Sequence, residues 1–217
     1  MRKAVFSALA AMAAAAAAGA DIALPAPKTE GGMPLSDALA ARRTIRSFDP
    51  SPLSDQELSD LLWAANGFNR PEEKKRTAPS AVNRQEIDIY VLRADGAYLW
   101  DASANTLKEV SGSDLRGLTG MTAAGDANFT LKAPVTFVFV VDYVRQHMQN
   151  RGQDAFKYAC VDSGFIGQNI YLHCAANGLG SVFLGSLDKA KLSEALKLPE
   201  TSAPLFAQTV GKPAAKQ

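Results

Sequence analysis

The chain is poor in the residues that build metal sites and disulfide scaffolds. Among its 217 residues there are two cysteines, Cys160 and Cys174, and two histidines, His147 and His173. Two cysteines are too few for a disulfide scaffold or an all-cysteine zinc site, and neither histidine belongs to a ligand-spaced cluster. No Gly-x-Ser-x-Gly motif occurs, which argues against a serine hydrolase. We therefore expect neither a metal site nor a catalytic triad.

The sequence also has little excess charge, with 23 basic and 22 acidic side chains and a formal net charge of +1. A protein that binds the nucleic-acid backbone needs clustered Lys and Arg in excess, so no nucleic-acid partner is expected. In contrast, 47% of the residues are hydrophobic, which excludes an intrinsically disordered protein. The length fits one domain of generous size, or at most two small ones.

The first twenty residues have the layout of a secretory signal peptide. Residues 1–3 are positively charged at Arg2 and Lys3, residues 4–18 are almost wholly apolar, and Ala18-Gly19-Ala20 offers a cleavage site. The apolar run is too short for a permanent membrane anchor. We expect residues 1–20 to be removed and the mature chain to be periplasmic or secreted, from a Gram-negative bacterium. An alanine-rich N-terminal helix of the fold is the alternative.

The mature chain divides into an extended arm over residues 21–34 and one domain over residues 35–217. Helices are predicted over residues 37–41 with Ser36 as the cap, over 54–66 with a capping box from Ser54 to Glu57, and over 154–177 and 189–196. Strands are predicted over residues 87–92, 97–100, 106–110, 134–141, 181–184 and 205–210. Residues 70–76 form a charged run without apolar periodicity, which favours a solvated loop. This mixture predicts an α+β or mixed α/β fold.

The two cysteines are both on the predicted helix over residues 154–177. Cys160 and Cys174 are then about 21 Å apart, at about 1.5 Å per residue. A disulfide needs Cα atoms within roughly 7 Å. We expect buried free thiols.

Four polar segments could hold an anionic, planar ligand. Arg42-Arg43-Thr44-Ile45-Arg46 follows a predicted helix end, and its guanidiniums and hydroxyl can surround a phosphate, although a solvated basic turn is the simpler interpretation when this motif is taken alone. The second segment is Pro79-Ser80-Ala81-Val82-Asn83-Arg84-Gln85, which is rich in polar donors. In the third, Phe183-Leu184-Gly185-Ser186, the glycine lets backbone approach a flat ligand. The fourth is Gly211-Lys212-Pro213, with Lys216 close behind.

Together and in this order, these segments resemble the FMN-dependent nitroreductase family, over residues 35–213. The matching stretches are Arg42-Arg43-Thr44-Ile45-Arg46-Ser47-Phe48, Pro79-Ser80-Ala81-Val82-Asn83, Gly167-Gln168-Asn169-Ile170-Tyr171-Leu172, Gly178-Leu179-Gly180-Ser181-Val182 and Val210-Gly211-Lys212-Pro213. Within the family, Leu61-Leu62-Trp63-Ala64-Ala65, Thr77-Ala78-Pro79-Ser80 and Gly96-Ala97-Tyr98-Leu99-Trp100-Asp101 look most like the SagB-type branch, which includes azoline oxidases.

The resemblance implies an α+β nitroreductase-like fold, with a mainly antiparallel central sheet flanked by helices. It also implies a homodimer that binds two FMN molecules at its interface. The helix over residues 154–177 would form the dimer seam, with a core helix of a monomer as the alternative.

The resemblance further implies which residues would hold FMN. Its phosphate, ribityl chain and pyrimidine edge would be held by Arg42, Arg43, Thr44 and Arg46. From the partner subunit would come Pro79, Ser80, Ala81 and Asn83. Near N5 of the isoalloxazine would lie Phe183, Leu184, Gly185 and Ser186. Lys212 and Lys216 would close on the phosphate, and Asp126 or Asn128 on the pyrimidine edge.

The implied activity is a ping-pong oxidoreductase, in which flavin N5 transfers hydride or electrons to nitroaromatic, quinone or similar planar acceptors. No catalytic side chain is needed, because the cofactor supplies the redox chemistry. Lys157-Tyr158 resembles a pair found in azoline oxidases, with ordinary helix residues as the alternative. Two other functions stay open: a SagB-like dehydrogenase of a peptide azoline or other specialised substrate, and a non-catalytic flavin-binding relative. The non-catalytic relative is considered because two positions depart from classical reductases: Phe183 and Gly185 stand where Pro and Glu are common. The Phe183 side chain could also fill space over the flavin.

Overall fold

The computed structural model describes residues 20–120, 129–147 and 152–215. Seven strands form one sheet in the order β1-β6-β5-β4-β7-β9-β8, and every pairing is antiparallel. The sheet strands are β1 (Ile22–Ala23), β4 (Ile87–Arg93), β5 (Gly96–Asp101), β6 (Thr106–Ser111), β7 (Val135–Asp142), β8 (Gly180–Leu184) and β9 (Ser202–Gly211). Six of the seven were predicted within a few residues of these bounds. The α+β fold with a mainly antiparallel sheet is confirmed.

Strand β7 lies at the centre of the core, as its apolar sequence predicts. All of its residues except Asp142 are buried. On one sheet face, Phe137 and Phe139 join a core that includes residues of the helices α2 (Asp55–Asn66) and α5 (Gln153–Ala176). On the other face, Val138 and Val140 pack with Leu192 of the helix α6 (Lys189–Ala195). The continuous apolar run is therefore explained by a strand covered on both faces.

In the described part of the chain, six α-helices flank the sheet: α1 (Leu35–Ala41), α2 (Asp55–Asn66), α3 (Phe129–Lys132), α4 (Tyr143–Gln146), α5 (Gln153–Ala176) and α6 (Lys189–Ala195). The capping box before α2 is present, since the Glu57 N–H donates to Ser54 Oγ and the Ser54 N–H donates to Glu57 Oε2. Gly67 follows the last residue of α2. The 24-residue α5 is the predicted long helix, and it packs against α1 and α2.

Two local predictions were wrong. Ser36 does not cap α1, because the helix already begins at Leu35 after Pro34, and the Ser36 hydroxyl donates to Asp37. Residues 70–76 are not a plain solvated loop: a 3-10 turn, Pro71–Glu73, joins β2 (Phe68–Arg70) to β3 (Lys75–Arg76). Arg76 contacts residues on both sides of the charged run: its guanidinium lies 4.4 Å from the centre of the Phe68 ring and donates to the Asn66 carbonyl and to Gln85 Oε1.

The predicted arm over residues 21–34 is attached to the sheet, because its residues Ile22–Ala23 form β1, which pairs with β6. Both cysteines are free, as their spacing on α5 predicts, but only Cys174 is buried; Cys160 is half-buried, so the prediction of a buried thiol is wrong there. Burial raises the pKa of the Cys174 thiol well above its usual range. Across the three described ranges, none of the helices combines the length and apolarity that crossing a membrane would require.

Candidate active site

The segment Arg42 to Arg46, called here the arginine turn, runs along the edge of the sheet beside β8. Thr44 forms a parallel bridge with Ser181, and the Ile45 N–H donates to the Ser181 carbonyl at 2.9 Å. This approach depends on Gly180, because a Cβ there would lie 2.8 Å from Ile45 side-chain atoms. The Gly-Leu-Gly motif thus serves close packing between the arginine turn and β8.

Tyr171 of α5 connects the arginine turn to β8, and sequence reasoning did not identify it. Its hydroxyl accepts the Phe183 N–H at 2.9 Å and lies 3.3 Å from Thr44 Oγ1. The Arg42 guanidinium stands 5.3 Å from the centre of its ring. In the sequence, this tyrosine appeared only inside the family-matching stretch Gly167-Gln168-Asn169-Ile170-Tyr171-Leu172, without a role of its own.

The arginine turn leaves its charges available to a ligand. Arg42 is half-buried, whereas Arg43 and Arg46 are exposed. The salt bridges formed among residues 20–120, 129–147 and 152–215 involve none of the three. Three uncompensated guanidiniums and one hydroxyl provide the forked donors that suit a phosphate.

Among the described residues, the end of β8 is exposed at Gly185 and Ser186, and the Gly120 N–H donates to the Ser186 carbonyl. The Phe183 ring packs against two core rings: its centroid lies 5.6 Å from that of Phe139 and 5.1 Å from that of Phe206. Leu184 packs into the apolar clusters on the opposite face of the sheet. The Phe183 ring is therefore held by core contacts although the residue is only partly buried, and the possibility that it fills space over a ligand stays a prediction. Gly185 and Ser186 are exposed, and a Cβ on Gly185 would meet nothing within 4 Å.

The C-terminal segment lies beside the residues that follow the arginine turn. Phe48 bridges to Pro213, and the Asp49 N–H donates to the Lys212 carbonyl at 2.9 Å. The Lys212 ammonium lies 3.9 Å from Glu57 Oε1, at the first turn of α2. Of the remaining predicted site residues, Asp126, Asn128 and Lys216 lie outside the described residues.

Residues 79–85, called here the donor loop, are fixed at another point of α5. The Ala81 N–H donates to Asp162 Oδ2 at 2.9 Å, and Ser80 Oγ accepts the Gln85 N–H at 2.9 Å. Val82 and Asn83 both have φ of 54°, and Val82 is 85% exposed. A β-branched residue at positive φ is a strained conformation, of the kind that occurs at ligand-binding sites.

The structure does not bring all predicted site segments together within one chain. The arginine turn, the end of β8 and Lys212 form one group, which Tyr171 supports. The donor loop forms a second group, which Asp162 supports. Nine residues separate Asp162 from Tyr171, so their Cα atoms are about 13.5 Å apart along α5. This separation is compatible with a donor loop that serves the site of a second subunit.

Lys157 and Tyr158 are both exposed near the start of α5. The Lys157 ammonium lies 3.3 Å from Asp154 Oδ1 and 5.2 Å from the centre of the Tyr158 ring. It therefore faces a carboxylate and an aromatic face, not the tyrosine hydroxyl. At the other end of α5, burial lowers the pKa of His173. The described part of the chain contains no group of three metal-ligating side chains.

Comparisons with known proteins agree with this geometry. The nitroreductase family model matches residues 39–212. The chain belongs to the nitroreductase family. A protein of Methanocaldococcus jannaschii that is assigned as a nitroreductase is 30% identical over 184 residues, which cover 82% of this chain and 90% of that protein.

Solved members of the nitroreductase family share the fold. A crystal structure assigned as a nitroreductase from Ralstonia eutropha has a TM-score of 0.83 and 36% identity, covering 92% of each chain. The NADPH:FMN oxidoreductase of Vibrio harveyi in complex with NAD+ has a TM-score of 0.59 and 25% identity, covering 83% of this chain and 69% of that enzyme. The Escherichia coli microcin synthetase complex has a TM-score of 0.68 and 19% identity, covering 88% of this chain and 77% of that chain. Its likeness is one of fold, and it is consistent with the resemblance to the SagB-type branch. These relatives support an oxidoreductase.

Proposed function

We propose that this protein is an exported, FMN-dependent oxidoreductase that reduces nitroaromatic, quinone or similar planar acceptors. The observation that carries this proposal is the arginine turn, whose three guanidiniums have no salt-bridge partner among the described residues and lie beside the exposed end of β8. Family membership supports FMN as the cofactor, since a relative of known structure is named an NADPH:FMN oxidoreductase.

The residues present suit the parts of FMN. Guanidiniums of Arg42, Arg43 and Arg46 match an anionic phosphate, and the Thr44 hydroxyl adds a neutral donor. Backbone at Gly185 is exposed among the described residues and offers a surface against which a flat ring can lie. When bound, FMN supplies the hydride and electron transfer that these side chains cannot perform. The protein would anchor the phosphate, orient the ring and stabilise negative charge through Arg46.

The site would be completed by a second copy of the chain. An apolar stripe on α5, formed by Tyr158, Val161 and Phe165, is 38–47% exposed at each position. The spacing of three and four residues places these side chains on one face of the helix. An exposed apolar face of this kind marks an interaction surface. We propose that it forms the seam of a homodimer in which each donor loop reaches the partner's site.

The cofactor is tested by the absorption spectrum of the purified protein and by release of FMN on denaturation. Arg42→Ala should weaken FMN binding roughly ten- to a hundredfold, because a lost charge-assisted hydrogen bond costs about 1.5–3 kcal/mol. Arg93→Ala is the matched control, since Arg93 pairs with Asp95 at the β4–β5 turn. Equal FMN affinities of the two variants would remove Arg42 from the site.

The dimer is tested by light scattering on Phe165→Glu. A charge in an apolar seam should shift the protein toward monomer and reduce bound FMN, because the donor loop would lose its partner. Leu131→Glu places the same charge on an exposed leucine of α3 and should leave both properties unchanged. A Phe165→Glu variant that stays dimeric with full FMN content would contradict the seam.

The two alternatives are weaker on geometric grounds. A non-catalytic relative was considered because Phe183 could cover the flavin, but its ring is packed against Phe139 and Phe206. A dehydrogenase of the azoline type would use Lys157 and Tyr158, yet Lys157 contacts Asp154. Turnover of thiazoline peptides without turnover of nitroaromatics would favour this second alternative over our proposal.

Export is proposed from the first twenty residues alone. Expression of the full-length chain in a Gram-negative host should yield a periplasmic product whose N-terminal sequence begins at Asp21. A product that retains Met1 in the cytoplasmic fraction would contradict export without affecting the proposed cofactor.

A further inference from the structure

Two buried carboxyl groups lie under the donor loop, and the proposed function uses neither. Glu86, which directly precedes β4, is fully buried, and Asp162 of α5 is 3% exposed. The Glu86 carboxyl neighbours the Asp162 carboxyl, which contributes to the raised pKa of Glu86. Asp162 Oδ2 in turn accepts the Ala81 N–H at 2.9 Å. Glu86 is thereby connected to the donor loop through Asp162.

A hydrogen bond between two carboxyl groups requires a proton on one of them. Glu86 Oε1 accepts from Gln146 Nε2 at 3.3 Å, but Glu86 Oε2 has no donor in the described structure. A buried carboxylate oxygen without a donor is costly. A proton on Oε2 removes this cost, because the acid O–H can then donate to Asp162.

The charged surroundings favour retention of this proton. Asp162 is the titratable group in contact with Glu86, whereas Arg145 of the adjoining α4 pairs with Asp88 and Asp142. The salt bridges of the described residues involve neither Glu86 nor Asp162. Burial first, and then the neighbouring Asp162 carboxyl, raises the pKa of Glu86 to about 7.

We propose that Glu86 and Asp162 are a proton-linked positioning pair that fixes the donor loop for flavin binding. With the proton present, Glu86 donates to Asp162 and Asp162 holds the Ala81 amide. When the proton leaves to solvent, two adjacent carboxylates repel each other and the loop is released. The consequence for flavin rests on the proposed function, whereas the link between proton and loop does not.

The direction of the pH effect follows from the raised pKa. Glu86 has an ordinary pKa of 4.5 and a folded-state pKa of about 7. Between these values the folded chain binds a proton that the unfolded chain has released, so this pair's contribution to stability is complete below about pH 4.5 and is lost as the pH rises through about 7.

The test is amide hydrogen exchange of residues 79–85 at pH 6 and pH 8.5, in the protein as isolated. Protection of the Ala81 amide, corrected for the intrinsic rate, should fall about tenfold or more at the higher pH. Glu86→Gln should abolish this fall, because its amide can donate to Asp162 at both pH values. Glu194→Gln, on the exposed surface of α6, should behave as wild type. Protection that does not change in wild type, or that falls equally in Glu86→Gln, would overturn the proposal.

Two further measurements test the protonation of Glu86 and its effect on FMN binding. Should Glu86→Gln fail to fold, infrared spectroscopy of the wild type should show a carboxylic-acid C=O band that disappears between pH 6 and pH 8.5, and its absence at pH 6 would overturn the pair. The FMN dissociation constant should rise about tenfold over the same range in wild type but not in Glu86→Gln. A dissociation constant that does not change with pH would overturn the pair's role in flavin binding. If FMN does not bind at either pH, the proposed function fails, while the exchange result still decides the link between proton and loop.

Discussion

The two halves of the candidate site are fixed to the same helix by different chemistry. At Tyr171, an uncharged hydroxyl joins the arginine turn to β8 through the Thr44 hydroxyl and the Phe183 amide. At Asp162, a carboxylate holds the donor loop and itself contacts a titratable group, Glu86. In our proposal the support at Asp162 depends on one proton, whereas the support at Tyr171 has no carboxyl partner among the described residues.

A substitution at Gly167, which lies on α5 between Asp162 and Tyr171, tests whether the two supports act independently. A Cβ at Gly167 would lie 2.6 Å from the Phe183 ring, which is itself packed between Phe139 and Phe206. Gly167→Ala should therefore lower the free energy of unfolding by about 1–3 kcal/mol, measured by chemical denaturation. Hydrogen exchange should increase in β8 and not in the donor loop.

Gly164→Ala on the same helix is the matched control. A Cβ at Gly164 would meet nothing within 4 Å, so helix propensity should raise stability by about 0.5–1 kcal/mol. A loss of stability in this control would indicate that a second copy covers this face. Equal gains for both alanine variants would contradict the packing of Phe183 against α5.

An effect of similar size is expected from Tyr171→Phe, which removes the hydroxyl shared by Thr44 and Phe183. The Phe183 amide then loses its acceptor, at a cost of about 1–3 kcal/mol in unfolding free energy or in FMN binding. This loss should be the same at pH 6 and pH 8.5, unlike the behaviour of the donor loop. Tyr158→Phe, at an exposed tyrosine of the same helix, should have no effect. A Tyr171→Phe deficit that changes with pH would erase the difference between the two supports.

Most of the fold follows from local sequence, because periodicity and capping are local. The apolar run of β7 and the Ser54–Glu57 box each fix their own element. The short hairpin over residues 68–76 could not be predicted from its charged run, since its stability depends on Arg76 stacking on Phe68. The charge of the arginine turn was visible in the sequence. Its partner Tyr171 was not, because contacts across 127 residues have no local pattern.

The same argument explains why the chemistry of Glu86 was invisible in the sequence. A glutamate before a strand is ordinarily solvated. Its burial depends on α4 and α5, which arrive from far along the chain and bring Gln146 and Asp162 against it. The donor loop was predicted as a ligand segment, but the group that holds it is set by tertiary packing alone.

The smallest expected effect concerns the strain within the donor loop. Val82 has φ of 54°, which a β-branched side chain adopts at a cost of roughly 1–2 kcal/mol. Val82→Gly should relieve this strain and raise the unfolding free energy. The gain should be limited to about 1 kcal/mol, because glycine loses more conformational entropy on folding than valine does. Asn83→Gly is the control, because asparagine tolerates the same φ and its replacement should change stability little. If Val82 also contacts flavin in the partner's site, Val82→Gly should weaken FMN binding while stabilising the fold. Strain retained for function would then distinguish the donor loop from the unstrained arginine turn.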